Sequence, residues 1–211
     1  MKISFYVILV VLVGVILGWG VWYFGLFERL INKTSSPTVQ NTDVPAIVQQ
    51  SYTSDTLGVA LSYPSNYTVN GSYAYDQFGQ EKLIHGVSFT IPVSMTTGTN
   101  LSGDTKISVE QLPRAVRCTG DIFLLDNVKA VTMQEATTTY SVASTTGAAA
   151  GNRYEEVVYA ISGSKPCTAV RYFVRYSSIE NYPEGTVAVF DRAALISSFD
   201  TIRRSLVLTT Q

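Results

Sequence analysis

Hydrophobic and polar positions fall into three regimes along this chain. From Ile3 to Phe27 twenty-five consecutive residues carry no charge, enough for a helix to cross a bilayer core of roughly 30 Å with some tilt. The run closes on Trp22, Tyr23, Phe24 and Phe27, rings suited to the headgroup region. It is also longer than the hydrophobic stretch of a cleaved signal peptide. The pattern predicts a single transmembrane anchor over residues 1–31, touching lipid from Ile3 to Phe27. Residues 32–55 open with a Ser/Thr/Asn/Pro stretch too poor in apolar side chains to fold alone, and read as a flexible linker. Residues 56–211 alternate strand-like and helix-like periods, predicting one extracytoplasmic α+β domain.

Within that domain, period-two alternation puts Val59, Leu61 and Tyr63 on one face of a strand that stops at Pro64. Tyr67–Val69 continues as a short strand. The segments 82–92 and 106–112 predict an antiparallel hairpin, with a long Thr/Gly/Asn/Ser-rich tip over 94–104 that reads as mobile. Residues 114–133 have no clear period, and a short helix capped by Thr119 or Asp121 is expected there. Segments 137–143, 154–161 and 167–176 predict three further strands, the last two joined by a Gly/Pro turn at Ser162–Pro166. The period then changes to helical. Leu195, Phe199, Ile202 and Leu206 form one stripe, with Asp191, Arg192, Ser198 and Arg203 mostly off it, so an amphipathic C-terminal helix is expected to pack on the sheet.

Composition narrows the function classes. Net charge is −1 and the sequence pI about 5.8, which carries no basic excess for nucleic acid. The two cysteines, Cys118 and Cys167, are too isolated for a zinc or CxxC site and read most simply as one disulfide of an exported domain. Flanking charge at Lys2, Glu28, Arg29 and Lys33 is nearly balanced, so the cysteine pair decides the orientation. The N-terminus is expected in the cytoplasm and the domain outside the cell membrane. Gly14 and Gly18 form a GxxxG pair that offers weak self-association between anchors. Asn32, Asn66, Asn70 and Asn100 each head an N-x-[ST] sequon.

Candidate chemistry is sparse. His85 is the sole histidine, and no phosphate loop, calcium loop, HExxH motif or nucleophile elbow is present. No metal or cofactor is therefore expected, and no catalytic residue is assigned. Glu155 and Glu156 are adjacent and point to opposite sheet faces. Among Arg114, Arg117, Arg171 and Arg175, the last two share a strand face with Phe173 and suggest a solvent-side binding strip. The aromatic-rich loops 72–78 and 180–183 add Tyr73, Tyr75 and Tyr182 as rigid contact surface for protein or glycan.

Three stretches carry a resemblance: Gly58–Pro64 (GVALSYP), the Thr-Thr-Gly turn at Thr145–Gly151, and the aromatic-led helix from Phe190 to Phe199. Together they resemble the PsbP-like fold, from about Tyr52 onward. The resemblance implies an antiparallel sheet sandwiched by helices, and no family ligand residues carry over to this chain. The functional expectation is a non-enzymatic, single-pass binding or scaffolding module of the cell envelope. The alternatives are a pilin-like structural subunit and a hydrolase with an unrecognised site. A pilin is disfavoured by the missing prepilin start and by Ser35–Pro37, which interrupts a spine helix. A hydrolase would require His85 or an acidic pair in a cleft.

Overall fold

A computed structural model describes residues 48–209. The anchor segment, most of the linker, Gly14, Gly18 and Asn32 lie outside the described residues. No helix among those described is long and apolar enough to cross a membrane. The domain is α+β: antiparallel sheets packed by a C-terminal helix.

The described residues form ten strands in the order β1 (Gln49–Ser54), β2 (Val59–Pro64), β3 (Thr68–Tyr75), β4 (Ile84–Thr90), β5 (Lys106–Leu112), β6 (Val131–Glu135), β7 (Thr138–Ala149), β8 (Asn152–Ile161), β9 (Cys167–Ser177) and β10 (Val207–Leu208). A one-turn helix α1 (Val93–Thr96) follows β4, and helix α2 (Arg192–Arg204) precedes β10. The main sheet has seven strands in the order β3-β4-β5-β9-β8-β7-β6, and a small sheet holds β1-β2-β10. The expected hairpin is present, with β4 paired antiparallel to β5 from Gly86↔Glu110 to Thr90↔Lys106.

Each face of the main sheet has its own cover. On one face Val87, Phe89, Ile107, Val109, Val170, Tyr172 and Val174 meet Leu195, Phe199 and Ile202 of α2 and Val59, Leu61 and Tyr63 of β2, all buried. The two periodicities read from the sequence thus converge on a single core, each large side chain contributing about 1.5–3 kcal/mol. Asp191 caps α2, its carboxylate accepting from the Ala194 N–H at 2.9 Å. On the other face the segment 113–130 lies across Ile84, Ala143, Val158, Ala160 and Ala169, inserting Phe123 and Leu124. The Cys118–Cys167 disulfide, with Cα atoms 5.1 Å apart, ties this cover to the start of β9. Gly120 sits so close to the sheet that a Cβ there would fall 2.7–2.9 Å from Ala143 N, Ser141 O and Val158 O, so any side chain would lift the cover.

Several expectations change. Strand β1 lies inside the segment read as linker: its QQSYTS sequence has no apolar alternation, and it is strand because it pairs rung for rung with β2. The expected short helix near 118–125 is a single 3-10 turn (Gly120–Phe123), and neither Thr119 nor Asp121 caps it. The Thr145–Gly151 stretch is not a loop. Strand β7 runs through Ala149, and the reversal is confined to Ala150 and Gly151, both at positive φ, as a two-residue hairpin turn requires. The tip 94–104 is tied down rather than mobile, because Asn100 is buried, donates to Ser177 O at 2.7 Å and accepts from Phe190 N at 3.0 Å. That burial also removes Asn100 from the accessible sequons, whereas Asn66 and Asn70 are exposed. Where the family resemblance implies helices on both sides, one face here carries the largely irregular 113–130 cover.

Candidate functional site: an aromatic cleft over a buried arginine

Arg171 occupies the middle of β9, opposite Ser108 of β5 and Val158 of β8. Its side chain is 1% exposed. Nε and Nη2 donate to the two carboxylate oxygens of Glu110 at 2.9 Å each, a fork-on-fork pair. Nη1 donates to Glu156, and Nη2 also reaches the Phe123 carbonyl of the cover at 2.7 Å. The guanidinium lies 3.6 Å from the Tyr75 ring centre, and Tyr75 donates its hydroxyl to Glu156 at 3.2 Å. Glu110 also accepts from Ser108 at 2.7 Å. Burial works against the cation, but the charges of Glu110 and Glu156 outweigh it and hold the Arg171 pKa above the ordinary arginine value.

The cluster forms the floor of a cleft of about 430 Å³, within the usual range of small-ligand sites. Tyr73, Ala74, Tyr75, Asp76 and Gln77, from the end of β3, form one wall. Lys106 of β5, Tyr154 and Glu156 of β8, and Phe173 of β9 form the others. Cross-strand register brings these groups together: Phe173 is opposite both Lys106 and Glu156, and Tyr154 is opposite Arg175. Lys106 holds its ammonium 4.8 Å from the Phe173 ring centre and donates to the Asp104 carbonyl at 3.1 Å. Its pKa is lowered by burial, against the opposing pull of Asp104 and Glu156. Just outside, Arg175 lies 5.6 Å from the Tyr154 ring centre and pairs with Asp104 at 3.0 Å.

The candidates read from the sequence therefore separate. Tyr73, Tyr75, Arg171 and Phe173 do come together, and Arg175 adjoins them. Tyr182 follows the 3-10 turn Ile179–Asn181 and takes no part in the cleft. Arg171 is not on a solvent-side strip: strand alternation places it correctly with Phe173 and Arg175, but the 113–130 cover and Glu110 bury it. Arg114 and Arg117 lie on that cover, with Arg117 3.4 Å from Asp121, and do not join Arg171. Lys106, Glu110 and Tyr154 escaped the sequence reading, which places Glu156 only as the neighbour facing away from Glu155. Alternation in β5 does set Glu110 and Ser108 on the face opposite Ile107 and Val109, but the guanidinium that Glu110 pairs with is on β9. Glu155 and Glu156 do face opposite ways, Glu155 meeting Arg192 at 2.7 Å on the helix side. The carboxylate pair is assembled between strands, Glu110 with Glu156. His85 is exposed on β4, on the opposite face from the cleft by alternation. Among the described residues no three His, Cys, Asp or Glu side chains are grouped to hold a metal ion.

Burial raises the pKa of Tyr73, Tyr75 and Tyr172, with the Glu110 charge adding at Tyr73. The folded state then keeps phenol protons that the unfolded chain releases near its ordinary pKa of about 10. Stability is full below that value and falls as pH rises above it. Thermal melts between about pH 9 and pH 11 should show a declining midpoint, with tyrosinate absorbance appearing in the same cooperative step. Gradual ionisation of these three phenols in protein that stays folded would contradict their burial.

No protein-family model matches this chain, and no curated protein matches it in sequence. Solved structures include a crystal structure from Bacteroides thetaiotaomicron, at 10% identity and TM-score 0.43, covering 77% of this chain and 49% of that one. This chain thus spans about half the length of that protein. A second is the solution structure of the cyanobacterial PsbP (CyanoP) from Synechocystis, at 14% identity and TM-score 0.38, covering 78% of this chain and 95% of that one.

Proposed function

We propose that the protein is a membrane-tethered binding module of the cell envelope, held by the apolar run Ile3–Phe27, and that the Tyr73/Lys106/Tyr154/Phe173 cleft is where it binds. One observation carries the reading: rigid rings and unspent polar groups converge in a concave site whose floor is locked by the Arg171 ion pairs. A site fixed in this way needs little ordering on binding. The disulfide supports an oxidising compartment and hence a domain outside the cytoplasm. Binding rather than catalysis is favoured because the cleft holds no histidine, cysteine or serine among its lining residues, and of its two carboxylates Glu156 is held by Arg171 and Tyr75 while Asp76 accepts from the Gln77 amide.

The test places a photo-crosslinking side chain at Gln77, on the exposed mouth, and at Ser197, on the exposed side of α2, in native cells. The expected outcome is a discrete adduct from Gln77 alone, with the protein retained in the membrane pellet after alkaline carbonate washing. Equal adducts from both positions would remove the cleft as the binding site. Full-length protein in the wash supernatant would remove the tether.

A further inference from the structure

We infer that the cleft takes an uncharged, polyhydroxylated ring, that is, a sugar residue of a neutral glycan; this rests on the reading of the cleft as a binding site. The lining residues carry two cations, Lys106 and Arg171, and two carboxylates, Asp76 and Glu156, which sum to zero. An anionic ligand would lose more at Asp76 and Glu156 than it gains at Lys106, because Glu110 and Glu156 already hold the Arg171 cation. A cationic ligand meets fixed positive charge around the rings, since Lys106 lies over Phe173, Arg171 over Tyr75 and Arg175 beside Tyr154. A purely apolar ligand would strip water from Lys106 and Glu156 without replacing it.

What remains open on the walls is hydrogen-bonding capacity of both signs. Lys106 has three donors and spends one on the Asp104 carbonyl. Oε1 of Glu156 receives only a long 3.4 Å contact from Tyr75. The Tyr154 hydroxyl has no hydrogen-bond partner among the described residues. A hydroxyl both donates and accepts, so neighbouring hydroxyls on one ring can meet an ammonium and a carboxylate together. Tyr154 and Tyr73 meanwhile offer flat apolar surface to the ring's C–H face.

The full-length protein, reconstituted in lipid nanodiscs free of sugar detergents, is titrated calorimetrically with chitotetraose, cellotetraose and mannotetraose. Tetragalacturonate and chitosan tetramer serve as charged controls. The expected result is saturable binding of at least one neutral tetramer, weakened at least about tenfold in Tyr154→Ala and in Lys106→Met. Lys106→Met should leave the melting midpoint unchanged. Tyr154 packs on Phe173, so Lys106→Met, at a half-buried side chain, decides the matter if Tyr154→Ala melts early. Absence of binding by every neutral tetramer, binding of the charged ones only, or undiminished binding in Lys106→Met would overturn the assignment. If the Gln77 crosslink persists while no neutral tetramer binds, only the glycan identity fails. If both are lost, the cleft is not a binding site.

Discussion

Arg171→Met is expected to destabilise the protein by about 3–5 kcal/mol, because it leaves a carboxylate buried without its partner. Glu110 is fully buried and its two oxygens face the Arg171 fork. Its remaining protein donor is the Ser108 hydroxyl. The same substitution also releases Glu156 and the Phe123 carbonyl, which hold the cleft wall and the 113–130 cover. Truncating Glu110 together with Arg171 removes the stranded charge, so the double variant Arg171→Met/Glu110→Met should recover a large part of the loss. Urea denaturation of the single and double variants measures both. A single variant that unfolds at the same urea concentration as the unchanged protein would show that the ion pairs do not hold the fold.

Loss of the disulfide is expected to be of similar size. The Cys118–Cys167 bond joins residues separated by 49 positions, and the chain-entropy relation gives about 4 kcal/mol for a loop of that length. The effect should be uneven. Residues 113–130 have only a 3-10 turn of regular structure and are held by Phe123, Leu124, the Arg171 contact and the bond itself. In Cys118→Ser/Cys167→Ser, amide exchange should therefore accelerate first over this segment, while β9 and α2 open only with the whole domain. Uniform acceleration across the sheet would mean that the cover and the main core form one cooperative unit.

What the sequence disclosed was whatever a single element decides by itself. Val59, Leu61 and Tyr63 follow the strand period and are buried, and Leu195, Phe199 and Ile202 follow the helix period and are buried. Leu206, the last residue of that stripe, lies beyond the end of α2 yet still packs against the core. The readings that needed adjustment depended on a second element. Arg203, placed off the stripe, is 2% exposed because Glu135, Asp200 and the Tyr172 hydroxyl surround it from β6, α2 and β9. Alternation showed that Arg171, Phe173 and Arg175 share a face. It could not show that the aperiodic stretch 113–130 would cover half of that face and leave the other half as a cleft. Strand β1 was invisible for the same reason: its pairing is specified by β2. The site was legible as residue types and an arginine pair; Tyr73 and Tyr75, expected in a loop, belong to strand β3, and Lys106 and Glu156 reach the site only through the register of β5 and β8 against β9.

Strand β1 has a mechanical consequence. Its side chains are mostly exposed, and it is joined to the domain by the β2 ladder and by Tyr52, whose ring packs edge-on against Phe89 at 5.6 Å. Tension arriving through the preceding residues would load those rungs before any rung of the seven-stranded sheet. Peeling all six residues away would release roughly 20 Å of slack at 3.3 Å per residue, with the cleft and its arginine floor still folded.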